Sequence, residues 1–96
     1  MVISLEEEVR NLEKVQVDAE ILKKEKSKWL SRLSSYGAFI CRFHDSAGKI
    51  YTDFVRCNES TYNNKEAGEI IHLTAYKGIK KGDLYLQPYR ALWEKK

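Results

Sequence analysis

Two cysteines and two histidines, Cys41, His44, Cys57 and His72, are the side chains that could suggest a zinc site. Structural zinc sites usually draw on close Cys-x2-Cys pairs, and this sequence has none. Cys41 and His44 are three residues apart on a predicted strand, so their side chains should point to opposite faces. The predicted hairpin also places Cys57 on the face opposite Cys41, which argues against a disulfide. We expect no metal site and two buried structural thiols.

The residues that could form a catalytic site are few. His44 and Asp45 adjoin a predicted turn, and Arg56 beside Cys57 could modestly favour a thiolate. The sequence has no nucleophile-elbow pattern, no phosphate-binding glycine loop and no paired-carboxylate motif. His72 lies within a predicted strand, where a half-exposed structural residue is the simpler interpretation. The sequence therefore predicts a protein that is not an enzyme and has no cofactor.

A third group of residues has the chemistry of nucleic-acid contact. Single-strand-binding modules present aromatic rings for stacking and cations for phosphates on a small sheet. The segment KGIKKGD places three lysines in one predicted turn, and Lys28 and Arg32 form a second basic ridge. The alternative is that the aromatics form the core and the lysines keep the turn soluble. The candidate contact residues for a protein partner or a nucleic acid are Lys28, Arg32, Lys77, Lys80, Lys81, Tyr85 and Arg90.

These groups must be positioned by two contrasting parts of the chain, the first of which reads as a long helix. The amphipathic pattern runs from Ser4 to about Tyr36, with a capping box at Ser4–Glu7 and Gly37 as the terminating residue. Its apolar seam repeats every 3.5 residues on average, the period of a left-handed coiled coil. The seam residues assigned to an oligomer interface are Leu5, Val9, Leu12, Val15, Ala19 and Leu22.

This predicted helix is longer than the rest of the protein is wide. At 1.5 Å per residue it would span roughly 46 Å. A compact domain of about sixty residues has a diameter of roughly 27 Å. Because the apolar stripe would outrun its own domain, a second helix is needed to cover it. We therefore predict a coiled-coil oligomerisation helix over 1–36 and a small β-rich domain over 37–96.

The second part of the chain alternates as short strands do. Strands over 38–43 and 49–57, joined by the turn Asp45–Gly48, form a predicted hairpin. Further strands are expected over 69–76 and 84–87, and Pro88 ends the last of them. The shared face of the hairpin is expected to carry Phe39, Cys41, Phe43, Ile50, Thr52 and Phe54. The predicted class is α+β: a long helix followed by a mostly antiparallel sheet or partly open barrel of about four strands.

Composition and charge limit the classes of protein to which this chain could belong. The formal net charge of +3 is far below that of a protein that condenses DNA. No stretch approaches the roughly 20 apolar residues that a membrane-spanning helix needs. The first residues are acidic and lack a signal-type apolar run, and two cysteines are too few for a disulfide framework. We expect a cytoplasmic protein that does not bind membranes.

Two functional hypotheses follow from this pattern. The leading one is a non-enzymatic homo-oligomer, in its simplest form a dimer, that presents paired β-rich heads to a protein partner as an adaptor or regulatory protein. It depends on the third of the chain that the helix would devote to association. The alternative is a dimeric nucleic-acid-binding regulator that uses the basic and aromatic residues named above. The identity of the partner and the direction of helix pairing stay open.

Overall fold

Five antiparallel strands dominate the protein, which is described here from a computed structural model over residues 4–26, 36–79 and 81–93. Three short helices accompany them in those ranges. The elements in chain order are α1 Leu5–Asn11, β1 Lys14–Glu25, β2 Gly37–His44, β3 Ile50–Cys57, α2 Glu59–Asn64, β4 Ile70–Lys77, β5 Leu84–Tyr85 and α3 Pro88–Leu92. The strand order is β3-β2-β1-β4-β5, and the sheet curls into a nearly closed barrel.

The prediction of a long N-terminal helix that forms a coiled coil is wrong. The predicted cap is present, because the Ser4 side chain accepts a hydrogen bond from the Glu7 amide at 3.2 Å. The helix nevertheless ends at Asn11, and Lys14–Glu25 forms a strand of 12 residues. The α+β class is therefore corrected to a mostly β protein with short helices.

The alternation within β1 explains why the helix gives way to a strand. Val17, Ala19 and Ile21 are buried on one face, whereas Gln16 and Asp18, which alternate with them, are exposed. This period of two suits a strand with one covered face, and β-branched residues favour it. The predicted helical seam omitted Val17 and Ile21, whose burial the strand accounts for.

Some residues of the predicted oligomer interface are buried within the single chain. Leu12 and Ala19 are 7% and 0% exposed, so neither is available to a partner's helix. Val9 and Val15 are half-buried, and Leu22 is 38% exposed. Leu5 is the first residue of α1.

A bend in β1 lets one strand serve two neighbours. Its first half pairs with β4, from Lys14 opposite Tyr76 to Glu20 opposite Ile70. Its second half pairs with β2, and the register shifts between Ile21 and Lys23. An extra residue of this kind bends a strand and increases its twist, which is what closure of a small sheet requires.

The core lies inside the barrel. The hairpin β2–β3 contributes to it, but its strands pair in a register shifted by one residue from the predicted one. Cys41 lies opposite Asp53 and Phe43 opposite Tyr51. The predicted inward residues Ile50, Thr52 and Phe54 therefore lie on the other face. The connection includes Lys49, whose carbonyl accepts from the Asp45 amide at 3.0 Å, and one extra loop residue turns every following side chain over. The buried core consists of Val17, Ala19, Ile21, Phe39, Cys41, Phe43, Ala75, Leu84 and Leu86.

The same register corrects the placement of the cysteines. Cys57 lies opposite Gly37 in β3, so it shares the inward face with Cys41 rather than opposing it. Both thiols are free, Cys41 fully buried and Cys57 half-buried. The hydrophobic core contacts Cys57 at its margin.

The barrel closes where β3 approaches the chain that follows β5. Asp53 accepts hydrogen bonds from the Leu86 amide at 2.8 Å and from Arg90 Nη1 at 2.9 Å. The side-chain amide Nε2 of Gln87 donates to the Phe54 carbonyl at 2.6 Å, and Lys49 Nζ lies 2.8 Å from Asp83 Oδ1. These side-chain contacts, here called the closure contacts, replace a regular ladder between the two edge strands. Across the described ranges, the helices are all too short or too polar to cross a bilayer.

Candidate ligand-binding surface

The turn between β4 and β5 presents basic and apolar side chains at one end of the barrel. The Gly78 amide donates to the Asp83 carbonyl at 2.7 Å, which closes the turn, and Gly82 has a φ of 76°, a conformation that suits glycine. Lys77 and Lys81 are exposed, and Ile79 is 61% exposed. A groove of about 460 Å³ runs between this turn and the link from α1 to β1.

Helix α3 adds two aromatic rings beside this turn. Pro88 begins the helix, where a missing amide hydrogen costs nothing, and Ala91 is buried against the barrel. Tyr89 and Trp93 are 45% and 63% exposed, with ring centroids 6.2 Å apart. The Ile79 amide donates to the Ala91 carbonyl at 3.4 Å and so joins the turn to the helix. We call Lys77, Ile79, Lys81, Tyr89 and Trp93 the turn surface.

The turn surface lies beside acidic residues, and one of its lysines is paired with a carboxylate. Lys77 Nζ lies 3.8 Å from Glu13 Oε2, and both side chains are largely exposed. An exposed pair at that distance contributes little and is easily exchanged for another anion. Asp83 is engaged with Lys49, and its hydrogen bond and charge raise the pKa of that lysine. The Lys77 ammonium can therefore exchange the Glu13 carboxylate for an external anion.

Two of the predicted contact residues, Tyr85 and Arg90, lie beside the closure of the barrel. The Arg90 guanidinium is held by the Asp53 carboxylate and lies 5.4 Å from the centre of the Tyr85 ring. Tyr85 lies opposite Tyr76 in the pairing of β4 with β5. Both border a second groove, of about 200 Å³, beneath the closure contacts. Lys77 and Lys81, with which the sequence had grouped them, line the other groove.

The other predicted contact residues are placed by sequence alone. Lys28, Arg32 and Lys80 lie outside the described residues. Lys28 and Arg32 belong to the stretch that joins β1 to β2, and Lys80 belongs to the turn between β4 and β5.

In the described part of the chain, the cysteines and histidines do not come together in a metal site. No group of three or more histidine, cysteine, aspartate or glutamate side chains there could hold a metal ion. Burial raises the pKa of Cys41 to about 11, and burial also raises that of Cys57. Neither thiol is activated towards a thiolate. His72 contacts the Asp18 carboxylate, and His44 Nδ1 lies 3.1 Å from the Asp45 carbonyl oxygen.

Sequence reasoning missed the role of Asp53. Its side chain is 4% exposed and joins β3 to Leu86 and Arg90 near the end of the chain. The available signal was its position: with the correct register, Asp53 is the acidic member of an inward face otherwise formed by Tyr51, Val55 and Cys57. A buried carboxylate needs partners, which predicts a structural or functional role for such a residue.

Comparisons with protein-family models, with curated proteins and with solved structures find no match to this chain.

Proposed function

We propose that this protein is a non-enzymatic binding module that takes up single-stranded nucleic acid on the turn surface. The observation that carries the proposal is the exposed pair Tyr89 and Trp93 beside the lysines of the β4–β5 turn. Aromatic rings stack on unpaired bases and lysines bind phosphates, and both are needed for sequence-tolerant single-strand binding. A duplex offers the phosphates but keeps its bases stacked away from the rings.

The exposure of Trp93 supports a binding role for α3. A tryptophan that is 63% exposed leaves a large apolar area in water, whereas Ala91 on the same helix is fully buried. Stacking one base on such a ring contributes about 1–3 kcal/mol. Two rings with centroids 6.2 Å apart could therefore supply much of the affinity of a short contact.

The plan of the barrel also favours this function. A five-stranded, partly open antiparallel barrel with a helix between its third and fourth strands resembles the OB-fold. Such folds bind oligonucleotides or oligosaccharides through the loops that join strands 1–2 and 4–5. Here the basic residues Lys28 and Arg32 fall in the first of those connections, and Lys77, Lys80 and Lys81 fall at the second. This support is an analogy of architecture, since one fold can serve many functions.

The adaptor hypothesis stays a prediction with a weaker basis. It rested on the third of the chain that was assigned to a coiled coil, and β1 now occupies much of that region. An exposed tryptophan is also typical of protein interfaces, so a protein partner on the turn surface is the alternative outcome of the test below.

The test is a titration of labelled single-stranded DNA, single-stranded RNA and duplex DNA at low and high salt, followed by fluorescence anisotropy. We expect single strands to bind more tightly than duplex, with affinity that falls as salt rises. The double variant Lys77→Ala/Lys81→Ala should bind more weakly, and its salt slope should be smaller by about 1.4, at about 0.7 per phosphate contact. Trp93→Ala should weaken binding about 5- to 150-fold, and Trp93→Phe should retain most of the affinity.

The matched control is Lys23→Ala/Lys65→Ala, which removes the same charge away from the β4–β5 turn. It should leave the salt slope unchanged. The proposal would be overturned if the protein bound none of these nucleic acids at low salt while circular dichroism showed that it was folded. Tighter binding to duplex than to single strands would overturn the assignment to single strands.

A further inference from the structure

The groove between the β4–β5 turn and residues 11–13, here called the turn groove, contains a carboxylate beside the lysines of the turn surface. Glu13 lines one side of it, and Lys77, Ile79 and Lys81 line the other. A carboxylate repels phosphate at close range, so its place here is explained best by a ligand that also donates hydrogen bonds. The volume of about 460 Å³ lies within the range of about 300–1,000 Å³ usual for small-ligand sites and leaves room for one nucleotide.

The backbone holds Glu13 beside the turn. The Lys77 amide donates to the Glu13 carbonyl at 2.9 Å, at the end of the ladder between β1 and β4. The Glu13 side chain is 67% exposed, and its Oε2 lies 3.8 Å from Lys77 Nζ. Because an exposed pair at this distance is weak, the carboxylate can turn from the lysine to a better partner.

A nucleotide could replace this ion pair with two stronger contacts. Its phosphate would bind the Lys77 ammonium, as the proposed function requires. Its base would then have to satisfy the carboxylate that Lys77 leaves. Hydrogen bonds donated to an ionised carboxylate are shorter and roughly twice as strong as those between neutral groups, and two parallel ones add geometric specificity.

Guanine is the base whose edge matches a carboxylate. Its Watson–Crick edge has two adjacent donors, N1–H and the 2-amino group, which can bind both carboxylate oxygens at once. Adenine and cytosine place their amino donor beside a ring nitrogen acceptor, and thymine and uracil place one N–H between two carbonyl oxygens. In these four bases a lone pair would face the second carboxylate oxygen. Proteins that bind single strands can read this edge because it is unpaired.

The turn groove supplies the other contacts that a base needs. Ile79 is 61% exposed and offers apolar surface to the face of the ring. Gly78 and Gly82 have no side chains, so the ring can approach the turn closely. Asn11 also lines the groove, and its amide group can donate to guanine O6. We infer that the turn groove selects a guanine in the bound strand and that Glu13 determines this specificity.

This inference rests on the proposed function and adds one selected position to otherwise sequence-tolerant binding. The test uses labelled oligothymidylates of about nine nucleotides, within the usual site size, with guanine, adenine, cytosine or thymine at the centre. We expect the wild type to bind the guanine strand about 5- to 150-fold more tightly than the others, the range for a good bidentate contact. Hypoxanthine lacks the 2-amino group and should lose most of this gain, whereas 7-deazaguanine, altered only on the opposite edge, should keep it.

Glu13→Gln separates base recognition from phosphate binding. The NH₂ group of the new side chain would oppose the donors of guanine, so the preference for guanine should disappear. The same variant releases Lys77 from its ion pair, so its affinity for plain oligothymidylate should equal or exceed that of the wild type. Structural damage would instead weaken binding to every strand. The control Glu59→Gln removes the same charge from α2, outside the groove, and should keep the preference.

The outcomes distinguish this inference from the proposed function. If the wild type binds single strands but does not discriminate between the four bases, the inference is overturned and the proposed function stands. A preference for guanine that persists in Glu13→Gln would overturn it in the same way. If none of the strands binds at low salt, the proposed function fails and this inference fails with it.

Discussion

At the scale of single residues, Asp45 organises the turn between β2 and β3. Its Oδ1 accepts from the backbone amides of Ala47 and Lys49, both at 2.9 Å, and its Oδ2 accepts from the Tyr51 hydroxyl at 3.2 Å. These donors, the Lys49 amide first, hold the pKa of the Asp45 carboxyl below its usual 3.8. The ionised carboxylate therefore stabilises the folded chain.

The sign of this effect predicts the pH dependence of stability. A carboxyl whose pKa is lowered by folding stabilises above its unfolded pKa, and this is lost as pH falls through the lower folded pKa. Asp45→Asn keeps an acceptor oxygen but cannot ionise. In urea denaturation we expect the variant to be less stable than the wild type at about pH 6, and the two to converge towards about pH 2. A difference in unfolding free energy between Asp45→Asn and the wild type that does not change with pH would contradict this prediction. The comparison variant is Glu6→Gln, which removes an exposed carboxyl from α1.

The same turn shows what could be predicted residue by residue. Asp45-Ser46-Ala47-Gly48 identified the turn correctly, because aspartate and glycine have local conformational preferences that the sequence displays. Lys49 belongs to the same turn because its carbonyl accepts a hydrogen bond from the Asp45 amide. No residue type in the sequence indicates that bond. That single residue decided which face of β3 is inward, and with it whether Asp53 was recognised as buried.

At the scale of elements, Gly37 has a different role from the predicted one. It begins β2 rather than ending a helix. A Cβ at this position would lie 2.6 Å from two carbons of the Tyr62 ring and 2.8 Å from the Glu25 carbonyl oxygen. The ring is held in turn by Tyr36, by Phe39 and by the Lys24 ammonium, 4.4 Å from its centre.

Substitution of Gly37 should therefore be costly. Gly37→Ala overpacks a constrained site, and we expect a loss of about 1–3 kcal/mol in the free energy of unfolding by chemical denaturation. Gly48→Ala is the control: its φ of 88° disfavours a side chain, but nothing lies within 4 Å of the added Cβ. That variant should lose about 1–2 kcal/mol through backbone strain alone. The prediction fails if Gly37→Ala is the milder of the two.

Strand β1 shows where periodicity misleads. Val15, Ala19 and Leu22 fit a helical seam, and Val15, Val17, Ala19 and Ile21 fit a strand, so one segment satisfies two templates. The choice is made by strands far away in sequence, since β1 finds partners on both sides in β2 and β4. The hairpin and β4 could be predicted because their signals are local. The central strand could not, because tertiary pairing overrides a weak local preference for helix.

At the scale of the whole molecule, the closure contacts decide whether the sheet is a barrel. They join β3 to a segment more than thirty residues later, and no periodic pattern encodes such a pairing. They also fix α3, because Arg90 and Gln87 belong to the same segment as Tyr89 and Trp93. The candidate lysines could be read from sequence, whereas the exposure of the aromatic rings follows only from the way α3 is anchored.

Removing Asp53 tests this account of closure. Asp53→Ala leaves the buried Leu86 amide without its acceptor and Arg90 without its partner, so we expect a loss of about 2–4 kcal/mol in urea denaturation. Asp53→Asn keeps one acceptor oxygen and should lose less. Asp83→Ala, which breaks only the more exposed pair with Lys49, should lose at most about 1 kcal/mol.

Hydrogen exchange shows where the loss occurs. The amides of Phe54 and Leu86 donate to Asp53 at 2.8 Å each, so they should lose the most protection in Asp53→Ala. The amides of the β1–β2 ladder should exchange faster only by the factor that the loss of global stability predicts. Equal losses in Asp53→Ala and Asp83→Ala would mean that the buried carboxylate does not close the barrel. Because α3 depends on the same contacts, closure should also affect the affinity of the turn surface. A folded Asp53→Asn variant should therefore bind single strands more weakly, although Asp53 is not a member of that surface.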